Sequence, residues 1–541
     1  MFMKRYIITV RNTAVAVSIG MITLIGSCTK QLNLSPVSNI SDANYWKTSS
    51  QFDAFVTGVH TQFRTDNANM QLLGEMRADI FGTDPGNLGA FTGEATQGLE
   101  RMWLNTLTLT ATPVTNFGGF YYNIVQLNLL ISELHTTTAV PAANQSYYLG
   151  IAYGMRAFYY FQLLRSWGGV VIQTDPVSSF DISTLAKPSS TAAQVTTLIK
   201  ADIDSSLNNF GANYSFFTGF GKAYWSKSAT EMLEAEVYLW TSYRGGGNAD
   251  ATTALNALND IQSNVPALQL VTANASVTGA VSGSGLLTPY ASVFSSANRD
   301  NTEIIFASHY QFSSTVNEAT MSFVTTSFAP QTGLISNYYD SVNNVQFNPN
   351  TTGNWGGLLR APVKIATFRK FNPMDTRALA SIQPAYTSVA GQYVIAGCFT
   401  DKYQGEFVAG NRSIDNDFPI YRYADLLLLK AEAEIILGTD PSNEINLVRA
   451  RAYGANYNAA TLGYPNQPID ATPKEALLQE RLYEFVFEGK RWYDLVRLDP
   501  GGSYVFEHTT AAQSYQLLWP IDVTSLTNNP ALVQTPGYAS N

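Results

Sequence analysis

The sequence predicts a mainly α-helical protein in which helix pairs flank a large, irregular, loop-rich insertion with a few short strands. Three observations carry this. Apolar residues recur at three- and four-residue steps in one segment after another before about residue 244 and after about 417. Between Gly245 and Asn416 that period is lost, and Gly, Ser, Thr and Asn dominate. Small and large residues alternate along the helical segments in the manner of tetratricopeptide packing, although no strict repeat of that length is present.

Residues 1–27 read as a targeting segment rather than structure. Lys4, Arg5 and Arg11 form a basic start, Thr13 to Ile25 a short apolar stretch, and Leu24-Ile-Gly-Ser-Cys28 a small-residue cleavage site. The apolar stretch is too short and too N-terminal for a transmembrane helix, and no later window is long and apolar enough. Residues 28–44 are a polar tether containing proline and serine. A single folded domain is expected from residue 45 to 541, with the scaffold at about 45–244 and 417–541 and the insertion at about 245–416.

Within the scaffold, Thr48 or Ser49 is placed to cap a helix through Phe52, Phe55, Val56 and Phe63. Between Arg77 and Leu104 lies a glycine- and threonine-rich stretch without periodicity, the kind of long loop that tends to be functional. Helices follow over Phe120 to Leu134, over Tyr148 to the Gly168-Gly169 stop, over Ser189 to Leu207 and over Tyr224 to Leu239. In the insertion, Glu303-Ile-Ile-Phe-Ala and Gln392-Tyr-Val-Ile-Ala read as strands. A strong helix is expected to begin after Pro419 and to stop at Gly438.

The last periodic segment runs from Glu480 to Arg497. Leu482, Phe485, Val486, Trp492 and Val496 form its apolar face, and Glu488 is spaced to reach Arg491 one turn on. Gly489 in mid-pattern indicates either a close backbone approach or a break between two short helices. Carboxylates beside arginines in this setting form structural ion pairs far more often than catalytic ones.

Composition excludes several functions. The formal charge of −9 opposes nucleic-acid binding. Four histidines, none at metal-ligand spacing, leave little room for zinc or a histidine base, so neither metal nor cofactor is expected. The only cysteines are Cys28 and Cys398, so no disulfide framework exists, and Cys398 sits in an apolar run typical of a buried thiol. Aromatics make up 12% of the chain, with 30 tyrosines, a supply suited to contacting polar ring-shaped ligands.

Five motifs in order resemble one family. They are Trp46-Lys-Thr with its following helix, the helix ending Trp167-Gly-Gly-Val, Arg422-Tyr-Ala-Asp425 with its leucine run, the Glu480–Arg497 segment, and Leu518-Trp-Pro-Ile-Asp522 with the closing residues to Tyr538. Together they resemble the SusD/RagB family of outer-membrane nutrient-binding lipoproteins, over nearly the whole chain from about Cys28. Departures are Asp522 in place of proline and Thr535 in place of asparagine. The resemblance implies a SusD-like fold, a lipobox with acylated Cys28 as anchor at the cell surface, and non-catalytic glycan capture. It also implies delivery to a SusC-like TonB-dependent transporter as partner. Some members handle peptides, and a mainly structural lid or, less in keeping, a glycoside hydrolase are the competing readings.

Sugar capture needs flat aromatic faces and amide, carboxylate or guanidinium groups for the hydroxyls. The candidates are Trp103, just after the glycine-rich loop, and Asp79, just before it. In the insertion they are Tyr338 and Tyr339, and Trp355, whose glycine neighbours promise an open face. A typical aromatic is nevertheless more often core than platform.

Overall fold

A computed structural model of the chain describes residues 45–82, 98–109, 117–176, 186–274, 288–311, 320–340, 345–348, 355–408, 411–508 and 514–539. The leader, Cys28, the tether and residues 83–97 of the glycine-rich loop lie outside them.

Helix starts follow local hydrogen-bond chemistry. Thr48 caps α1 (Ser49–Glu75) through a capping box with Gln51. α2 (Tyr121–Thr136) and α3 (Ala142–Trp167) form an antiparallel pair, and Gly168, at φ +78°, ends the second where predicted. α3 is buried along most of its length, because α2 lies on one side and α4 (Ala192–Phe210) on another. Thr191 caps α4 with Gln194, and Ser226 caps α5 (Lys227–Thr241).

The next element departs from expectation. α6 (Gly247–Asn264) is a full helix packed between α5 and the later α7, inside the stretch read as irregular. Its buried face is Ala251, Ala254, Ala257, Leu258 and Ile261, which is helically spaced but mostly alanine, and therefore faint as an apolar signal.

The insertion proper contains β1 (Ile304–Ser308), β2 (Tyr339–Asp340), β3 (Val345–Gln346), β4 (Ile382–Val389) and β5 (Gln392–Thr400). The last four make an antiparallel sheet in the order β3-β2-β4-β5. One side of it covers a small second core of Ala329, Ile335, Phe347, Leu359, Ala385 and Phe399, together with Trp355. β1 pairs instead with β6 (Phe418–Arg422). The helix expected after Pro419 therefore starts later, as α7 (Tyr423–Leu437), with Gly438 as its left-handed cap. Cys398 is fully buried.

α8 (Ser442–Tyr453), α9 (Pro473–Phe485) and α10 (Arg491–Leu498) complete the scaffold, followed by the short α11 (Val523–Asn528). Both readings of Gly489 hold. α9 stops at Phe485, and Phe487 (φ +68°) and Gly489 (φ +71°) turn the chain into α10. A β-carbon on Gly74 of α1 would lie 1.8 Å from the Gly489 carbonyl oxygen, so two backbones meet here. The buried Glu75 carboxylate accepts the Phe487 and Gly489 amides at this contact. Burial pushes its pKa up to about 7, against the pull of those two bonds.

The carboxylates of the motif are structural, but Glu488 does not pair with Arg491. It receives Arg422 Nε at 2.8 Å and the Lys402 ammonium. Glu484 receives Arg422 at 2.6 Å, Arg377 at 3.0 Å and also Arg451. Burial would raise its pKa, yet those three guanidinium groups hold it well below the usual carboxylate range. Arg377 and Lys402 belong to the insertion, so this buried network rivets the insertion to the scaffold.

Candidate functional site

The exposed face of the insertion's sheet carries a cluster of three tyrosines. β4 and β5 are joined by Ala390-Gly391, both at positive φ (+49° and +80°), as a two-residue hairpin turn of the primed type requires. That turn fixes the register, pairing Val389 with Gln392, Ser388 with Tyr393 and Tyr386 with Ile395, while Tyr339 of β2 lies opposite Tyr386. Cross-strand partners and alternate residues share a face. Tyr339, Tyr386 and Tyr393 therefore stand on one side, with Gln346 and Ser388 beside them, while Ala385 and Phe399 point to the second core.

The rings of Tyr339 and Tyr393 are 5.2 Å apart at 56°. Tyr393 is 41% exposed, Tyr339 and Tyr386 are half-buried, and Ser388 and Gln346 on the same face are exposed. Aromatic faces next to amide and hydroxyl groups are what a polyhydroxylated ring needs: a π-face for its C–H side, and donors and acceptors for its hydroxyls.

The other candidates sit elsewhere in the structure. Tyr338, next to Tyr339, faces the opposite way and packs, partly buried, against the second core. Trp103 ends a single helical turn (Glu100–Trp103), partly buried against the main core with its indole edge over Gly82. The sheet's tyrosine cluster does not include it.

Two premises need correction. Trp355 is only 1% exposed, closed in by Phe399 at 5.4 Å and by the Arg412 guanidinium 4.1 Å above its ring. Its glycine neighbours act opposite to expectation: a β-carbon on Gly357 would lie 2.0 Å from the Ala329 carbonyl oxygen, so the glycine lets the chain close over the indole. Asp79 is not a free acceptor either. It is 6% exposed and takes Arg491 Nε at 2.9 Å and Lys370 Nζ at 2.9 Å. Burial alone would raise its pKa, but these two cations hold it well below the carboxylate range.

Sequence reasoning missed Tyr386 and Tyr393. The signal was available: Ala-Gly between two runs of strand character sets a two-residue hairpin, and its register puts tyrosines at 386 and 393 on one face.

Among the described residues, no helix is long and apolar enough to cross a membrane, and no group of three or more His, Cys, Asp or Glu residues is arranged to hold a metal ion.

Comparison with known proteins fits this architecture. The sequence model of the SusD family matches residues 372–538, and that described as starch-binding associating with outer membrane matches residues 74–239. The solved structure of B. fragilis NanU is 43% identical, covering 94% of this chain and 100% of that one, with a TM-score of 0.82. A SusD superfamily protein from Bacteroides vulgatus is 39% identical over 91% of this chain and 100% of its own, with a TM-score of 0.80. A shorter stretch of 132 residues, 23% of this chain and 22% of the relative, is 30% identical to the starch-binding protein SusD of Bacteroides thetaiotaomicron. The chain belongs to the SusD/RagB family.

Proposed function

We propose that this protein is a glycan-capturing lipoprotein of the outer membrane, anchored at the cell surface through acylated Cys28. It holds an oligo- or polysaccharide without cleaving it and passes it to a SusC-like TonB-dependent transporter. The observation that carries the capture step is the outward-facing tyrosine cluster of Tyr339, Tyr386 and the exposed Tyr393 on a sheet whose other side is locked into a core. The match to a family of starch-binding proteins that associate with the outer membrane supports the ligand class and the location. Trp103 is retained as a second platform at the edge of the glycine-rich loop.

The test is calorimetric titration of the full chain, in mild detergent, with a panel of malto-, laminari- and manno-oligosaccharides. Saturable binding is expected, with no reducing sugar released. Loss of one stacking ring is worth about 1 kcal/mol, so Tyr393→Ala should weaken binding roughly fivefold to tenfold at an unchanged melting temperature. Silence across the panel would sink the glycan reading. Binding untouched by Tyr393→Ala and Tyr339→Ala but lost in Trp103→Ala would move the site to the loop.

A further inference from the structure

A cavity of about 430 Å³ opens on the scaffold far along the chain from the tyrosine sheet and shares no residue with it. Its volume falls within the usual range for small-molecule sites. One wall is the start of α2, where Tyr121 and Val125 are four residues apart and so project side by side. The facing wall is α11, where Thr524 and Asn528 have the same spacing. One wall is thus apolar and the other is hydroxyl and amide. Val171, Gln173 and Leu532 also line it, and the turn before α2, with Ser525 and Asn529, closes the rest.

The walls are braced independently of any ligand. Asp522 accepts the Phe117 amide at 2.9 Å and Ser525 Oγ accepts the Gly118 amide at 3.2 Å, tying α11 to the turn before α2. The Tyr121 hydroxyl donates to the Val171 carbonyl at 2.7 Å, and Asn529 donates to the Lys187 carbonyl at 2.8 Å. Unlike Ser525, the other two lining residues of α11 are not used in this way. Among the described residues, the Thr524 hydroxyl and the Asn528 amide make no hydrogen bond to the protein, and both residues are exposed at the rim. Gln173 donates its amide to the Asp175 carbonyl, which leaves its side-chain oxygen as an acceptor. None of the described lining residues carries a charge.

We infer that this slot is a second binding site for a neutral polyhydroxylated ring, a single sugar unit or the end of a chain. Its apolar side lies on Tyr121 and Val125 and its hydroxyls face Thr524, Asn528 and Gln173. A preformed slot with one apolar and one amide-and-hydroxyl wall matches the two sides of a pyranose, and the lack of charge selects against acidic sugars.

The experiment is saturation-transfer NMR on the full chain in mild detergent, with methyl β-glucoside, methyl β-galactoside, N-acetylglucosamine and glucuronate as probes. Thr524→Trp, which fills the slot from its exposed rim, Asn528→Ala and Tyr393→Ala run beside the parent. At least one neutral probe should bind saturably in the millimolar range and glucuronate should not. That binding should survive Tyr393→Ala and weaken about tenfold or more in Thr524→Trp, with a smaller loss in Asn528→Ala that does not depend on the bulk of tryptophan. No saturable neutral probe, binding indifferent to both α11 variants, or preferential binding of glucuronate would each overturn the inference. Signals lost in Tyr393→Ala alone would assign the sugar to the sheet, leaving the function proposed above intact and this site refuted.

Discussion

The Glu480–Arg497 segment and the tyrosine sheet use their chemistry in opposite directions. In the first, Arg422, Arg377 and Arg497 are fully buried and each meets two or more carboxylate oxygens, so charge is turned inward to hold elements together. In the second, an exposed Tyr393 and the half-buried Tyr339 and Tyr386 face outward while a separate small core holds the strands beneath them. The contrast separates what must stay fixed from what can vary. A buried charged network tolerates almost no substitution, because removing one partner strands the others. An exposed ring can be exchanged at little cost to the fold.

Breaking the network should have the largest effect. Arg422→Met leaves Glu303, Glu484 and Glu488 facing one another without their shared cation. A loss of about 3–5 kcal/mol is expected, read as a drop in the denaturant midpoint, or as failure to fold. A variant that melted like the parent would show that Lys402 and Arg451 suffice and that the network is redundant.

Trp355→Ala probes the other side of the comparison. It empties the second core beneath the sheet and should cost about 3–5 kcal/mol, melting the sheet before the helices. The expected signature is early loss of amide protection in β4 and β5 while α3 remains protected. Uniform loss across the chain would mean that the sheet is no separate unit but part of the scaffold's core.

A smaller, pH-dependent effect resides at Glu75. Its folded pKa of about 7 lies above the ordinary 4.5, so its contribution to stability is fully present below pH 4.5 and is lost as pH rises through 7. At about 1.4 kcal/mol per unit this amounts to roughly 3 kcal/mol. Glu75→Gln lacks this titration, so the stability difference between parent and variant should move in the variant's favour by that amount between pH 4.5 and 7.5. Denaturant melts at a series of pH values measure it, and parallel curves would refute a neutral Glu75 at the α1–Gly489 contact.

The same contrast governs what the sequence made legible. Helices with large apolar residues at regular spacing, such as α3 and α7, could be read directly, as could the Gly168 and Gly438 stops. α6 gives little signal because alanine supplies most of its buried face. The turn at Gly489 was foreseen as a close approach or a break, but its partner Gly74 lies over four hundred residues away, and no local pattern names it. Trp355 and Asp79 failed as candidates for one reason: whether a side chain faces solvent is decided by distant residues, here Arg412 and Arg491. Tyr339 lies on the exposed cluster and Tyr338 does not, a distinction set by strand alternation once the register is known.

The smallest effect tests that register. Ala390 occupies a left-handed conformation at φ +49°, where an L-residue with a β-carbon is strained by about 1 kcal/mol. Asparagine tolerates this conformation because its short side chain can hydrogen-bond locally, and Asn-Gly is the preferred pair for this turn. Ala390→Asn should therefore stabilise the hairpin by up to about 1 kcal/mol, without glycine's added entropy in the unfolded chain. Global melting should barely move, because the scaffold dominates it. The change belongs in slower amide exchange along β4 and β5, and in slightly tighter glycan binding as Tyr386 and Tyr393 are held more firmly on their shared face. Faster exchange in the variant would mean that the two-residue turn does not set the pairing of Ser388 with Tyr393, and the tyrosine cluster would then need another origin.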